Sequence, residues 1–225
     1  MIKTKESKYF KLIKIDKKKF ILYNQILNME LTVIAGKLKG RKILFKIPDN
    51  KSGTGKTIYE IGLRPILARV KKSLFDILRQ KIKNSYFLDL YAGSGSVGIE
   101  AISRDSKYVV FIDHDSYCLK QIEQNLNKFG ISNTNYKVYK YDILDGLGWL
   151  KNTVKFFDII FIGPPYKELL VNRTLEIISD ADILVNDGWI IAQHHKKEKI
   201  NPVNGLLMFR QENYGDTLLT FFKKG

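Results

Sequence analysis

A single cysteine, Cys118, in 225 residues excludes an intramolecular disulfide and any cysteine-based zinc site built within one chain. Histidine is almost as scarce, confined to His114 and the pair His194-His195. No apolar run approaches the roughly 18–20 residues that span a bilayer, so no membrane partner is expected. The basic N-terminus lacks the uninterrupted apolar core of a secretory signal. These shortages together predict a soluble protein of a reducing, cytoplasmic setting. Acidic residues are also few, with 23 Asp and Glu against 38 Lys and Arg and a net charge of +15. Such an excess favours a polyanion, nucleic acid first, although a lysine-rich solvated surface has the same composition.

What is present suits one α/β domain with a proper core and a small appendage, since 44% of residues are hydrophobic and 12% aromatic. The chain is organised around residues 86–103, YFLDLYAGSGSVGIEAIS. A short apolar run broken only by Asp89 leads into a glycine turn, and a helix pattern follows. Strand, glycine turn and helix start together bring backbone N–H groups close to a nucleotide-like ligand.

Residues 1–30 carry eight lysines against Glu6, Asp16 and Glu30. They read either as a basic arm that grips RNA or as an extension upstream of a natural start at Met29. Residues 31–62 are expected to form a β-hairpin and loop. Gly36 and Gly40 punctuate the hairpin, and Lys37, Lys39, Arg41 and Lys42 cluster at its turn, where they suit phosphate oxygens. The segment Gly55-Lys56-Thr57 mimics a P-loop but fails on spacing, because Asn50 stands where the first glycine belongs. Val70, Leu74, Phe75 and Leu78 recur at helical spacing among Arg69, Lys71, Lys72 and Arg79, predicting an amphipathic helix with a basic outer side.

Beyond the glycine turn, strands are predicted at 107–112, 135–141, 156–162 and 189–193, with helices at 116–128 and 168–179. A closing antiparallel pair is expected at 206–211 and 217–222. Strands alternating with helices imply a mostly parallel, doubly wound sheet over residues 63–225.

Three strand ends carry the chemistry. Asp113 lies twenty positions after Gly93 and ends the second strand of the unit, where a carboxylate accepts both hydroxyls of a ribose. Asp142 ends the next strand on the same sheet edge, within reach of an adenine. The fourth strand runs into Gly163-Pro164-Pro165-Tyr166, whose prolines fix the backbone and leave carbonyls as acceptors, while Tyr166 offers a stacking face. That turn separates this chain from nicotinamide dehydrogenases, which share the glycine pattern. Cys118 is expected to be a buried structural thiol, and His194 and His195 to be surface polar residues.

Taken together, LTVIAGKLKGRKI, RPILARVKKSLFDIL, LDLYAGSGSVGIEAISR, FIDHD, FDIIFIGPPY and YGDTLL occur in an order that resembles the bacterial small-subunit (16S) rRNA guanine-N2 methyltransferases, over nearly all of residues 31–225. The resemblance implies a Rossmann-like class I methyltransferase fold, a seven-stranded, mostly parallel sheet flanked by helices with an N-terminal β-hairpin extension. It implies S-adenosylmethionine as cofactor and no metal. Asp89 and Gly93, Ser94 and Gly95 would frame the methionine part, Asp113 the ribose, and Asp142 with Ile143 the adenine, with Ala92 and His114 also in the cofactor site. Lys37, Lys39, Arg41, Lys42, Arg64 and Arg69 would contact RNA. The target guanine would be flipped into the pocket against Gly163, Pro164, Pro165 and Tyr166. The partner implied is small-subunit rRNA or the assembling small subunit, bound by a monomer.

One departure stands out: the family turn begins with Asp or Asn, and position 163 is glycine. The missing side chain would accept from the base's amino group, and an unmet donor there slows positioning-driven chemistry by about tenfold to a hundredfold. Two other readings follow, a weakened or inactive enzyme serving as an rRNA-binding assembly factor, and a DNA adenine-N6 methyltransferase, which uses a similar turn.

Overall fold

The computed structural model describes residues 28–46, 66–166 and 169–225. The possible strands within 1–27, the P-loop-like segment and Arg64 lie outside the described residues. Strands β1 (Asn28–Thr32) and β2 (Lys42–Lys46) pair antiparallel, with Leu31 opposite Ile43, around a broad loop at 33–41. Helix α1 (Ala68–Leu78) follows. The central unit is β3 (Tyr86–Leu90), α2 (Ser96–Ser103), β4 (Tyr108–Asp113), α3 (Ser116–Lys128) and β5 (Tyr136–Lys140). Then come β6 (Phe157–Ile162), α4 (Val171–Ala181), β7 (Leu184–His195), β8 (Leu206–Tyr214) and β9 (Thr217–Lys224).

The seven strands β3 to β9 form one sheet in the order β5-β4-β3-β6-β7-β9-β8, parallel except where β9 runs against β7 and β8. Continuous apolar stretches such as Val109 to Ile112 and Ile159 to Ile162 are what a strand covered on both faces requires. Two cores result. Phe87, Ile99, Phe111, Ile159 and Phe161 pack under α1 to α3. Leu88, Val110, Ile160, Ile178 and Ile190 pack under α4. Among the described residues, no helix is long and apolar enough to cross a membrane.

The hairpin is fastened to the first core. Val33, Leu38 and Ile43 are buried in the same cluster as Leu74 and Ile99. Glu100, wholly buried on α2, accepts from the backbone N–H groups of Ile34 (2.8 Å) and Ala35 (3.0 Å). Ser103 Oγ accepts from Leu38 N–H, and Asn125 pairs with Leu44 through both its side-chain oxygen and its side-chain nitrogen, as a strand would. Gly36, at φ +79°, lies so close to α2 that a Cβ there would stand 1.8 Å from the Ser103 carbonyl oxygen.

Several sequence expectations need correction. Lys71 does not join the basic outer side of α1. It is buried at 3% exposure, donates to the Thr32 carbonyl and lies 3.6 Å from Glu100. Burial pushes its ammonium below the ordinary lysine value, with Glu100 opposing. Strand β7 begins at Leu184 rather than 189, because an irregularity opposite Phe157–Ile159 absorbs the turn-like Asn186-Asp187-Gly188. Helix α4 starts at Val171, three residues later than its expected start at 168. Glu198 Oε1 accepts the Val171 N–H in its first turn. Helix α3 has the expected bounds, capped by Asp115, whose Oδ1 accepts from Tyr117 N–H at 2.7 Å.

Candidate active site

Strands β3 and β6 are neighbours, and the turns at their C-terminal ends face each other across a cleft of about 800 Å³, including space open to solvent. On one side stand Asp89, Ala92, Gly93, Ser94, Asp113 and His114, and on the other Gly163, Pro164, Pro165 and Tyr166. Crevices at the carboxyl ends of parallel strands, where the strand order reverses, are where such sheets bind ligands.

The glycine turn is built by close approach. Tyr91 leaves β3 at φ +59°, an uncommon conformation for a tyrosine, and its hydroxyl is tied to Thr174 Oγ1 at 2.7 Å. Gly98 lets α2 press onto the sheet, since a Cβ there would stand 2.2 Å from the Phe111 ring. That contact brings the Gly98 N–H to Asp89 Oδ2 at 2.8 Å. Asp113 clamps the turn from β4: its Oδ2 accepts from Gly93 N–H (2.8 Å) and its Oδ1 from Asp115 N–H (2.9 Å).

The cleft floor therefore carries two buried carboxyls. Burial raises the Asp89 carboxyl from its ordinary 3.8 to about 8; the Gly98 N–H opposes this and the Asp113 charge adds to it. Burial likewise pushes Asp113 up, against the N–H groups of Asp115 and Gly93. Cys118, buried on α3 at the same floor, has its thiol raised by burial and by the Asp113 and Asp115 carboxylates, so it stays protonated.

Across the cleft, Gly163 N–H donates to the Leu90 carbonyl at 3.3 Å. The Tyr166 hydroxyl sits between Thr217 Oγ1 (2.9 Å) and Gln193 Nε2 (3.0 Å), and its ring meets that of His195 edge-on at 5.9 Å.

Three expected cofactor residues do not line this cleft. Gly95 shapes the turn from behind, its Cα facing Ile122. Asp142 is exposed and its Oδ1 accepts from Leu144 N–H, while Ile143 is buried in the second core. The shortfall is geometric, because β5 ends at Lys140, on the outermost parallel strand. Lys37, Lys39, Arg41, Lys42 and Arg69 are exposed and away from the cleft walls. Arg41 stacks on Phe129 at 5.5 Å, Lys42 Nζ donates to Thr32 Oγ1, and Lys37 approaches Asp105 at 3.7 Å. His194 is buried at 1% exposure with Nε2 bonded to Thr220 Oγ1 at 2.8 Å, not a surface residue, and burial lowers its pKa. It shares a strand face with Ile190 and Ala192, and that alternation was the available signal. Gln193 went unnoticed as a cleft residue, although it ends the apolar run of β7 at the functional edge of the sheet.

A central strand followed by a glycine turn, in a seven-stranded sheet whose one reversed strand lies next to the last edge, defines a class I, Rossmann-like methyltransferase fold. The solved yhhF protein of Escherichia coli, a proposed methyltransferase, has the same fold, with TM-score 0.70 at 23% identity, over 87% of this chain and 98% of its own. The chain belongs to the family described as Conserved hypothetical protein 95, whose model matches residues 31–223. It is 34% identical over 176 residues to Ribosomal RNA small subunit methyltransferase D of Buchnera aphidicola subsp. Acyrthosiphon pisum, covering 77% of this chain and 82% of that one. The Haemophilus influenzae protein of the same name is 32% identical over 180 residues, 80% of this chain and 86% of its own. The family resemblance drawn from the sequence motifs is thus borne out.

Proposed function

We propose that the protein is an S-adenosylmethionine-dependent 16S rRNA methyltransferase that acts on the exocyclic N2 of a guanine. The observation that carries this reading is the pairing, across one cleft, of an acidic glycine turn with the Gly163-Pro164-Pro165-Tyr166 turn. The names of the relatives supply the substrate class.

The residues present fit the cofactor. Asp89 and Asp113 are two buried carboxyls whose pKa values are both raised, so the floor favours a ligand that brings positive charge and hydroxyl donors. Each Asp113 oxygen carries one backbone N–H bond and keeps acceptor capacity for a ribose hydroxyl. S-adenosylmethionine, when bound, supplies an electrophilic methyl group on a sulfonium. Gly163 and Pro164 offer backbone carbonyls to the amino group of a flipped base, and Tyr166 borders the base plane. N2 would take the methyl group that the bound cofactor supplies, leaving the bonding pair with the cofactor, and would shed one proton to solvent. Catalysis is then mostly alignment of N2 with the methyl group. The exposed cations of the hairpin, Lys37, Lys39, Arg41 and Lys42, with Arg69, are assigned to rRNA phosphates, which makes the partner small-subunit rRNA or the assembling subunit.

Gly163 supports a second reading, a weakened enzyme acting as an rRNA-binding assembly factor. The two are separated by incubating the protein with labelled cofactor and unmodified small-subunit RNA or particles, followed by nucleoside analysis. Labelled N2-methylguanine is the expected product. Its absence at saturating cofactor overturns the methyltransferase reading, and label in N6-methyladenine of duplex DNA moves the activity to the other class.

A further inference from the structure

We propose that Gln193 supplies the acceptor that position 163 lacks, holding the target base's amino group through its side-chain oxygen. The inference rests on the proposed reaction and assigns it one more substrate-touching residue. Strand register carries it. Phe161 pairs with Ile191 and Ile162 with Ala192, the last pair between the two strands, and the residues that follow each, Gly163 and Gln193, both line the cleft. Residues level with each other on adjacent parallel strands project to the same face, about 4.8 Å apart. Gln193 therefore stands next to the place where a side chain at 163 would begin. Both residues line the cleft, and Gln193 is 6% exposed.

The amide is held at one end only. Its Nε2 donates to the Tyr166 hydroxyl at 3.0 Å, and that hydroxyl is bonded to Thr217 Oγ1 at 2.9 Å. Gln193 Oε1 makes no hydrogen bond among the described residues, and the residue lines the cleft. A buried side chain with one anchored donor and one open acceptor is poised for a ligand N–H. A carboxamide oxygen offers the base's amino group the same neutral acceptor that asparagine would offer from position 163. The space at 163 is also already used, since a Cβ there would stand 2.9 Å from Phe161 Cε1. Glycine at 163, the Phe161 ring and the Gln193 amide make one arrangement, with the acceptor moved one strand across.

The test is single-turnover methyl transfer to unmodified small-subunit RNA, with cofactor affinity measured in parallel. Gln193→Ala is expected to lower the rate about tenfold to a hundredfold while cofactor affinity stays within twofold. Gln193→Glu, which keeps an acceptor, should stay within severalfold of wild type. A Gln193→Ala rate equal to wild type overturns the role alone, leaving the reaction intact. A loss shared by Gln193→Glu also overturns it and leaves Gln193 as support for Tyr166. An inactive wild type overturns the reaction, and this role with it.

Discussion

Asp89 offers the sharpest quantitative test of the cleft. Its carboxyl is buried at the cleft floor, accepts one hydrogen bond from Gly98, and is pushed up to about 8 by burial. At pH 7 only about one molecule in ten carries the charge there. A ligand that places an ammonium beside Asp89 binds the ionised form, so binding must expel the proton from the remaining molecules. With the ligand's amino group titrating near 8 as well, the apparent dissociation constant for S-adenosylhomocysteine should then weaken about twenty-five-fold between pH 8 and pH 6, with about 0.8 proton released on binding at pH 7. The ligand's own amino group titrates near 8 and sets the fall in affinity at higher pH. Asp89→Asn should keep that alkaline fall and lose the acid dependence. Calorimetry in buffers of different ionisation enthalpy reads both quantities. The same group is linked to stability with a definite sign. Because the folded pKa lies above the unfolded 3.8, its contribution is intact below pH 3.8 and is lost as pH rises to 8. At about 1.4 kcal/mol per pH unit, that loss is on the order of 4 kcal/mol between pH 4 and pH 7, relative to Asp89→Asn. A flat affinity profile from pH 6 to pH 8, with no proton release, would refute an ammonium site at Asp89.

Two further expectations concern the hairpin. Glu100→Ala removes the acceptor of two backbone N–H groups and strands the buried Lys71, so urea unfolding should show a loss of about 3–5 kcal/mol. Adding Lys71→Met should restore part of that loss; no restoration would show that the charge pair is not its source. Reversing charge at Lys39 and Arg41 together should weaken rRNA binding and flatten its salt dependence by about 0.7–0.9 per lost contact, with cofactor affinity unchanged. Unaltered salt dependence in a filter-binding titration would remove the hairpin from the RNA surface.

The parts of the fold that were legible in the sequence are those whose signals are local. The apolar runs of β4 and β6, the Asp115 cap of α3 and the glycines of the β3–α2 turn each carry their own instruction. What escaped depends on partners distant in the chain. Lys71 falls on the buried stripe of α1 with Val70, Leu74 and Phe75, but its charge is tolerable only because Glu100 waits on another helix. Gln193 matters through its register with residue 163, thirty positions earlier, and strand register is set by packing of the finished sheet. The two turns facing the cleft were readable as motifs. The Tyr166-Gln193-Thr217 chain joining β7 and β9 to that site was not, since three separate strand ends must first meet.

The fastening of the hairpin bears on how such an enzyme is inherited and dissected. Val33, Leu38 and Ile43 fill the same interior as Leu74 and Ile99, and the loop at 33–36 hangs on a carboxylate of the helix that follows the glycine turn. A chain begun at residue 63 would lack a wall of that interior and leave Glu100 and Lys71 facing water. Recombination that swapped only the hairpin would have to bring matching partners on α2 with it. The hairpin and the helix behind the glycine turn therefore change together in this scaffold, rather than as exchangeable modules.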